Sequence, residues 1–362
     1  MRVWRRSWVG AGLAVAVAIV GVVPGPAAVA DTGGRQVTYL VGHSNVPYHV
    51  FDRAVWAPAG HPRRSHRIGP PLPRGAKLTA VLPVVPSPDG RRVAVAYNYL
   101  LGSKGRFAIT VMDRDGSHPH RVVTYRGNGP EGVAGMTWSA DERHLYWSPS
   151  IFDPSADGLF RSYLAGARVF PHGVGTPVRV PGSAGMAYPA VNPATGELAA
   201  VVGAWGGCPD PVPAAPASAT IIVVQPRTGE SHGLVVATAS RSGCAVAAAD
   251  LAWSPDGRRL AFDQSVYNKA QTQESGDVMV VTPSSSADLV VAISGAGTHI
   301  AELPTWQNSH TLWCSWWRFN LARKTPRTKG DLLSASVTGG VWKAPVNRTR
   351  TPRVDEWMPS FG

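Results

Sequence analysis

Residues able to do chemistry are sparse and scattered along this 362-residue chain. No Gly-x-Ser-x-Gly elbow, His-Glu-x-x-His helix or Walker phosphate loop occurs. Two partial matches read as turns. Gly127-Asn128-Gly129-Pro130-Glu131-Gly132 has the glycine spacing of a dinucleotide cradle, but Pro130 lies inside it and no helix follows to aim amides at a phosphate. Asp113-Arg114-Asp115-Gly116 opens like a calcium loop, yet its glycine comes two positions early and no glutamate closes it. The 11 histidines are dispersed, and the closest pair, His118 and His120, is read as a solvent loop without acidic or cysteine partners. Arg323, Lys324, Arg327 and Lys329 form a basic run without an acid, able to contact an anion, although a solvated loop is the plainer reading. No catalytic constellation, cofactor or metal site is expected from these patterns.

The elements that would position such residues follow from composition and repetition. With 44% apolar residues, 16% charged, 39 Gly and 32 Pro, the chain can bury a core but is too interrupted for an all-α fold. One phrase recurs: Pro86-Ser87-Pro88-Asp89-Gly90-Arg91-Arg92, Trp253-Ser254-Pro255-Asp256-Gly257-Arg258-Arg259, and a weaker copy at Trp138-Ser139-Ala140-Asp141-Glu142-Arg143. Anchored on Pro86, Trp138, Val191, Trp253, Trp306 and Trp357, the period is about fifty residues. Pro fixes φ, Asp bonds back to the chain and Gly supplies positive φ, so the phrase closes a tight turn between antiparallel strands. Runs such as Arg92–Tyr97, Arg259–Phe262 and Thr311–Trp317 follow it and are apolar on both faces, as strands between packed sheets must be. Third strands (Phe107–Met112, Ile221–Val224, Val278–Val281) and fourth strands (Arg121–Thr124, Gly233–Val236, Asp288–Val291) complete four-stranded units.

Four antiparallel strands per repeat predict a β-propeller blade, and the six anchors predict six blades across residues 31–362 as one all-β domain. The phrase-less N-terminal strands, Val37–Val41, Tyr48–Asp52 and Ala76–Thr79, are read as second, third and fourth strands that the segment around Trp357 completes, closing the ring. Trp138, Trp253, Trp306 and Trp357 are expected between blades, while Trp56 and Trp205 sit in loop-like contexts. Trp313, Trp316 and Trp317 crowd one strand and are read as core filling.

Trp253-Ser254-Pro255-Asp256-Gly257-Arg258-Arg259-Leu260-Ala261-Phe262 resembles the repeat of TolB-type six-bladed propellers, also called WD40-like β-propeller repeats, with clear relatives at Pro86 and Trp138. The resemblance implies a secreted or periplasmic bacterial propeller that serves as a binding scaffold. The family motif marks the fold and no active site, so no functional residue carries over. Neither the peptidase domain that follows some relatives nor the domain preceding the TolB propeller is expected here.

The first stretch carries Arg2, Arg5 and Arg6, an apolar run from Ala11 to Val23 and Ala28-Val29-Ala30 before Asp31, the pattern of a secretory signal over residues 1–30. At 1.5 Å per residue the run is a helix of about 20 Å, short of the roughly 30 Å hydrocarbon core, so no stable membrane span is expected after processing. General secretory and twin-arginine export both remain open. Nucleic acid is disfavoured by export and by the dispersal of the +12 formal charge.

Blade connections alternate between two faces. The strand 1–2 turns are tight, whereas the opposite face carries Tyr97 to Gly105, Ser148 to Asp157, Trp205 to Ser218, Tyr267 to Gly276 and Asn320 to Gly330. Long loops on a rigid scaffold favour that face for binding an envelope or extracellular protein, peptide or glycan, by a monomer. The alternative is a lactonase-like small-molecule hydrolase with a metal at the central channel, for which Asp250 and Glu302 are the best ligands available. Of the three cysteines, Cys208 and Cys244 lie on the same face of one blade and predict a disulfide, leaving Cys314 mid-strand as a packed thiol.

Overall fold

The structure, a computed structural model, describes residues 36–361 other than 46–47, 59–65, 127–131, 153–159, 204–217, 239–244, 268–272, 284, 296–298, 321–324, 327–330, 339 and 350–354. Every regular element among the described residues is a β-strand. Strands β1 (Gln36–Asn45), β2 (Tyr48–Pro58) and β3 (His66–Ile68) begin the first sheet. The second is the antiparallel meander β4 (Ala76–Pro86), β5 (Arg92–Leu101), β6 (Lys104–Asp113) and β7 (His120–Arg126). The third contains β8 (Gly132–Trp138), β9 (His144–Phe152), β10 (Phe160–Ser162), β11 (Ala165–Phe170), β12 (Gly173–Val174) and β13 (Val178–Arg179), with β11 pairing on β9. The fourth is β14 (Met186–Val191), β15 (Leu198–Gly203), β16 (Ser218–Val224) and β17 (Ser231–Thr238).

A larger sheet starts with β18 (Ala245–Trp253), β19 (Leu260–Tyr267), β20 (Gln273–Thr282) and β21 (Ser285–Ile293). It continues through β22 (His299–Asn308), β23 (Thr311–Asn320), β24 (Thr325–Pro326), β25 (Asp331–Thr338), β26 (Val341–Trp342) and β27 (Val346–Asn347). A single parallel bridge between Gly276 and Ile300 joins its two halves; the other pairings are antiparallel. Finally β28 (Asp355–Phe361) returns to the first sheet and pairs antiparallel with β1, placing Trp357 opposite Leu40. Successive antiparallel meanders of this kind are the blades of a β-propeller.

The leading strands β4, β8, β14, β18, β22 and β28 contact one another in that order, and β28 contacts β4. Apolar layers fill the gaps between sheets. Tyr97, Trp138 and Trp147 share one layer, Tyr188, Trp253 and Phe262 a second, and Ala261, Trp306 and Cys314 a third. Trp313 packs with Val37 and Tyr39 of β1, on the side of β23 away from Cys314. Trp138, Trp253 and Trp306 are buried within these layers.

Each leading strand carries a register shift at a corresponding place, between Val81 and Val84, Val133 and Met136, Ala187 and Ala190, Ala249 and Ala252, Glu302 and Thr305, and Trp357 and Ser360. Tyr188, Asp250 and Leu303 take left-handed φ of 53°, 53° and 60° there. Pro83, Pro189 and Pro304 fall inside these bulges, where a missing ladder N–H costs least.

Three sequence expectations change. Ala76–Thr79 opens β4, the leading strand of the second sheet, and His66–Ile68 is the fourth strand of the first; the bulges lengthen β4 beyond the short run visible as a pattern. Tyr97 to Gly105 is a hairpin, because Leu101 pairs with Lys104 and Gly102 (φ 63°) closes the turn. Trp56 lies in β2, stacked on His66 with ring centroids 4.3 Å apart.

Candidate functional site

The turns after the leading strands build one face. Ser87 Oγ donates to Asp89 Oδ1 at 2.6 Å and accepts from Arg92 N at 3.0 Å. Ser254 repeats the second bond, accepting from Arg259 N at 2.9 Å, and Ser139 accepts from His144 N at 2.8 Å. Gly90 and Gly257 (φ 69° each) supply the left-handed residue, but in the copy at Ser139 it is Glu142, with φ 60°. A non-glycine residue held there costs on the order of 1 kcal/mol and needs compensating contacts.

Those contacts cross to the neighbouring blade. Glu142 Oε1 accepts from Asp89 N at 2.8 Å, while Arg92 Nη2 donates to Glu142 O at 3.2 Å and stands 3.5 Å from its Oε2. The Arg92 guanidinium also lies 5.2 Å from the Trp138 ring centroid. Burial, reinforced by the Asp89 carboxylate, raises the Glu142 carboxyl above its ordinary value.

A groove of about 590 Å³ opens over this junction, lined by Arg91, Arg92, Arg143 and Arg168 together with Asp89, Asp141 and Phe170. Asp113 and Glu142 also line it, and all four acids are engaged: Asp141 bonds its own turn through Ser139 and Arg143 N, Asp89 does the same through Ser87 and Arg91 N, Asp113 pairs with His118, and Glu142 pairs with Arg92. Arg143 and Arg168 enter none of the ion pairs formed among the described residues. Arg168 lies 5.1 Å over the ring of Phe170, which is 43% exposed. The groove thus offers two guanidinium groups outside the ion pairs of the described residues, one of them over an exposed aromatic ring, a combination suited to a carboxylate or other anion.

A second polar cluster is buried. Asp250, at the β18 bulge, shares a hydrogen bond with Asp263 of β19, and both are almost fully buried. Burial pushes the Asp263 carboxyl up to about 7. Asp263 Oδ1 has no hydrogen-bond partner among the described residues. The leading strands run past Asp250 and Glu302, so these residues lie mid-strand and not at strand ends. No group of three or more His, Cys, Asp or Glu among the described residues is arranged to hold a metal ion. Sequence reading missed Asp263, whose apolar neighbours Ala261 and Phe262 mask it, and Glu142, whose substitution for glycine in the repeat was the available signal.

Cys314 is a free, fully buried thiol, held above its ordinary value by burial and then by Glu302. His118, read as lacking an acidic partner, has one, because the turn brings Nδ1 to 2.7 Å from Asp113 Oδ2. Cys208, Cys244, Trp205, Arg323, Lys324, Arg327, Lys329 and residues 1–30 lie outside the described residues, as does the Trp357 side chain. No helix among the described residues is long and apolar enough to cross a membrane.

No protein-family model matches the chain, and no curated protein matches it significantly. Solved structures do. Kuenenia stuttgartiensis hydrazine synthase is similar over 91% of this chain and 47% of its own, at 11% identity and TM-score 0.65. A Mycobacterium tuberculosis puromycin-hydrolyzing peptidase is similar over 84% of this chain and 44% of its own, at 17% identity and TM-score 0.50. The β-propeller domain of the trilobed protease from Pyrococcus furiosus is similar over 91% and 86%, at 12% identity and TM-score 0.47. The chain spans about half the length of the first two, and these likenesses concern the fold alone.

Proposed function

We propose that this is an exported, TolB-type six-bladed propeller, closed by the pairing of β28 with β1, that works as a monomeric binding scaffold for an acidic segment of an envelope or extracellular protein. Export rests on the signal-like residues 1–30. Closure is supported by the cyclic contacts of the six leading strands, which leave no leading strand without a neighbour on either side.

The observation that carries the binding reading is the groove between β5 and β9. Arg143 and Arg168 stand there without carboxylate partners among the described residues, on a rim that the Arg92–Glu142–Asp89 contacts hold rigid. A preorganised site of this kind loses little entropy on binding. The face opposite remains the alternative surface, through the loops around Trp205 and Arg323.

The test is affinity capture of partners from cell envelope and culture fluid, followed by cross-link mapping. Cross-links at Arg143, Arg168 and the Phe170 turn are expected. Cross-links confined to residues 320–330 would move the site to the opposite face, and capture of a glycan alone would replace the partner class.

A further inference from the structure

The arginine-lined groove is balanced in charge. Its wall has four arginines, Arg91 and Arg92 from one blade and Arg143 and Arg168 from the next, set against Asp89, Asp113, Asp141 and Glu142. With all eight ionised the wall has no net charge, so a ligand anion is drawn to individual guanidinium groups and not to the groove as a whole. Loss of one negative charge, or gain of one positive charge nearby, tips that balance.

Two adjacent carboxyls on the rim are pushed apart by their surroundings. Against burial, the bonds from Ser139 Oγ and Arg143 N hold Asp141 below its ordinary value and keep it ionised. Glu142 is driven upward, by burial first and then by the Asp89 carboxylate across the blade junction. Its charge is answered by Arg92 at 3.5 Å and by the Asp89 N–H at 2.8 Å. The Glu142 side chain is 21% exposed, so protons and the field of a bound ligand reach it.

A second titratable group lies beside the groove. β11 pairs with β9 so that Arg168 is the Cα partner of His144, which sets the two side chains next to each other on one face of the sheet. His144 is half-buried and stacked on Tyr146, with ring centroids 6.0 Å apart. Burial holds its imidazole below the ordinary value, and the charges of Arg168, Arg227 and Arg143 add to this against the pull of Asp141. His144 is therefore mainly neutral at neutral pH.

We infer that an anionic segment entering this groove takes up protons at Glu142 and His144, so that acidification strengthens its binding. The inference rests on the anion-binding reading of the groove and adds its regulation. An anion beside Glu142 disfavours the ionised carboxyl, and an anion on Arg143 and Arg168 relieves the repulsion those groups exert on a protonated His144. Both side chains then hold a proton more tightly in the complex than in the free protein. By linkage, affinity rises as pH falls through the interval where the two states differ, from about pH 7 to about pH 5, and levels off outside it.

The experiment uses a rhodamine-labelled peptide of alternating cysteic acid and glycine, whose sulfonates stay ionised throughout, at constant ionic strength. The parent protein is expected to bind it about tenfold more tightly at low than at neutral pH, the equivalent of a rise of about one unit in one group. Titration calorimetry midway, in two buffers of different ionisation enthalpy, should register net proton uptake without any variant. Glu142→Gln keeps the acceptor for Asp89 N and removes the charge. It should bind more tightly than the parent at neutral pH and retain only the His144 share of the pH dependence, with its melting midpoint establishing that it is folded. Affinity that does not change with pH, no net proton uptake, or a Glu142→Gln profile identical to the parent's would overturn the inference. No binding at any pH would overturn the anion-binding reading as well, whereas pH-independent binding would overturn this inference alone.

Discussion

Trp306 donates its indole N–H to the main-chain oxygen of Ala252, 3.0 Å away, and so ties one blade's leading strand to the next. Trp138 makes the same bond to Val85, and Trp253 makes none among the described residues. Replacing each by phenylalanine removes similar ring volume in all three and keeps an aromatic face under Arg92 at position 138, so the difference reports chiefly on the bond. Trp138→Phe and Trp306→Phe should each cost roughly 1–3 kcal/mol more than Trp253→Phe in urea unfolding, because only they strand a buried carbonyl. Equal losses in the three variants would refute this assignment.

Asp263 gives the stability a pH dependence. Its folded carboxyl is raised to about 7 by burial, above an unfolded value near 4, so the folded state holds the proton more tightly between those limits. Stability from this group is full below about pH 4, is lost as pH rises through about 7, and is constant above. Asp263→Asn keeps the volume and removes the titration, so its unfolding free energy should be flatter than the parent's between pH 4 and 7. A parallel slope in both proteins would contradict the account.

How far these features were legible depended on whether each leaves a trace in local pattern. The Ser87, Ser139 and Ser254 turns were readable because their geometry demands particular residue types at fixed spacing. The leading strands were not: bulges at Pro83, Pro189 and Pro304 interrupt the period-2 alternation and look like loop residues. Tyr97 to Gly105 reads as a loop in the sequence, yet Asn98 to Leu101 continue β5, with Tyr99 buried between the half-buried Asn98 and Leu100. The arginine groove was invisible for another reason. Arg143 comes from the β8–β9 turn and Arg168 from β11, about 25 residues later, and they meet only through the pairing of β11 with β9.

Removal of Asp355 to Gly362 takes away a partner of β1 and exposes that edge of the first sheet. Aggregation or a large drop in the melting midpoint is expected. An unchanged melting curve would mean that β28 does not close the ring.

For the cysteines, a non-reducing peptide map should recover Cys208 joined to Cys244, a bond worth roughly 3–4 kcal/mol on the chain-entropy model. Cys314, buried and held protonated, should resist alkylation until the protein unfolds. Alkylation of all three without reduction, or Cys314 in a disulfide, would rule the pairing out.

The central claim is that the arginine-lined groove on the tight-turn face binds acidic segments. It is tested most directly by fluorescence anisotropy of a labelled peptide of alternating glutamate and glycine, titrated at low and physiological salt. Arg143→Ala with Arg168→Ala should weaken binding at least about tenfold, the worth of one or two charge-assisted contacts. Alanine at Arg323, Lys324, Arg327 and Lys329 should leave it within about twofold, since surface charges away from a site contribute little. The reverse ranking, or no salt-sensitive binding by the parent protein, would contradict the account.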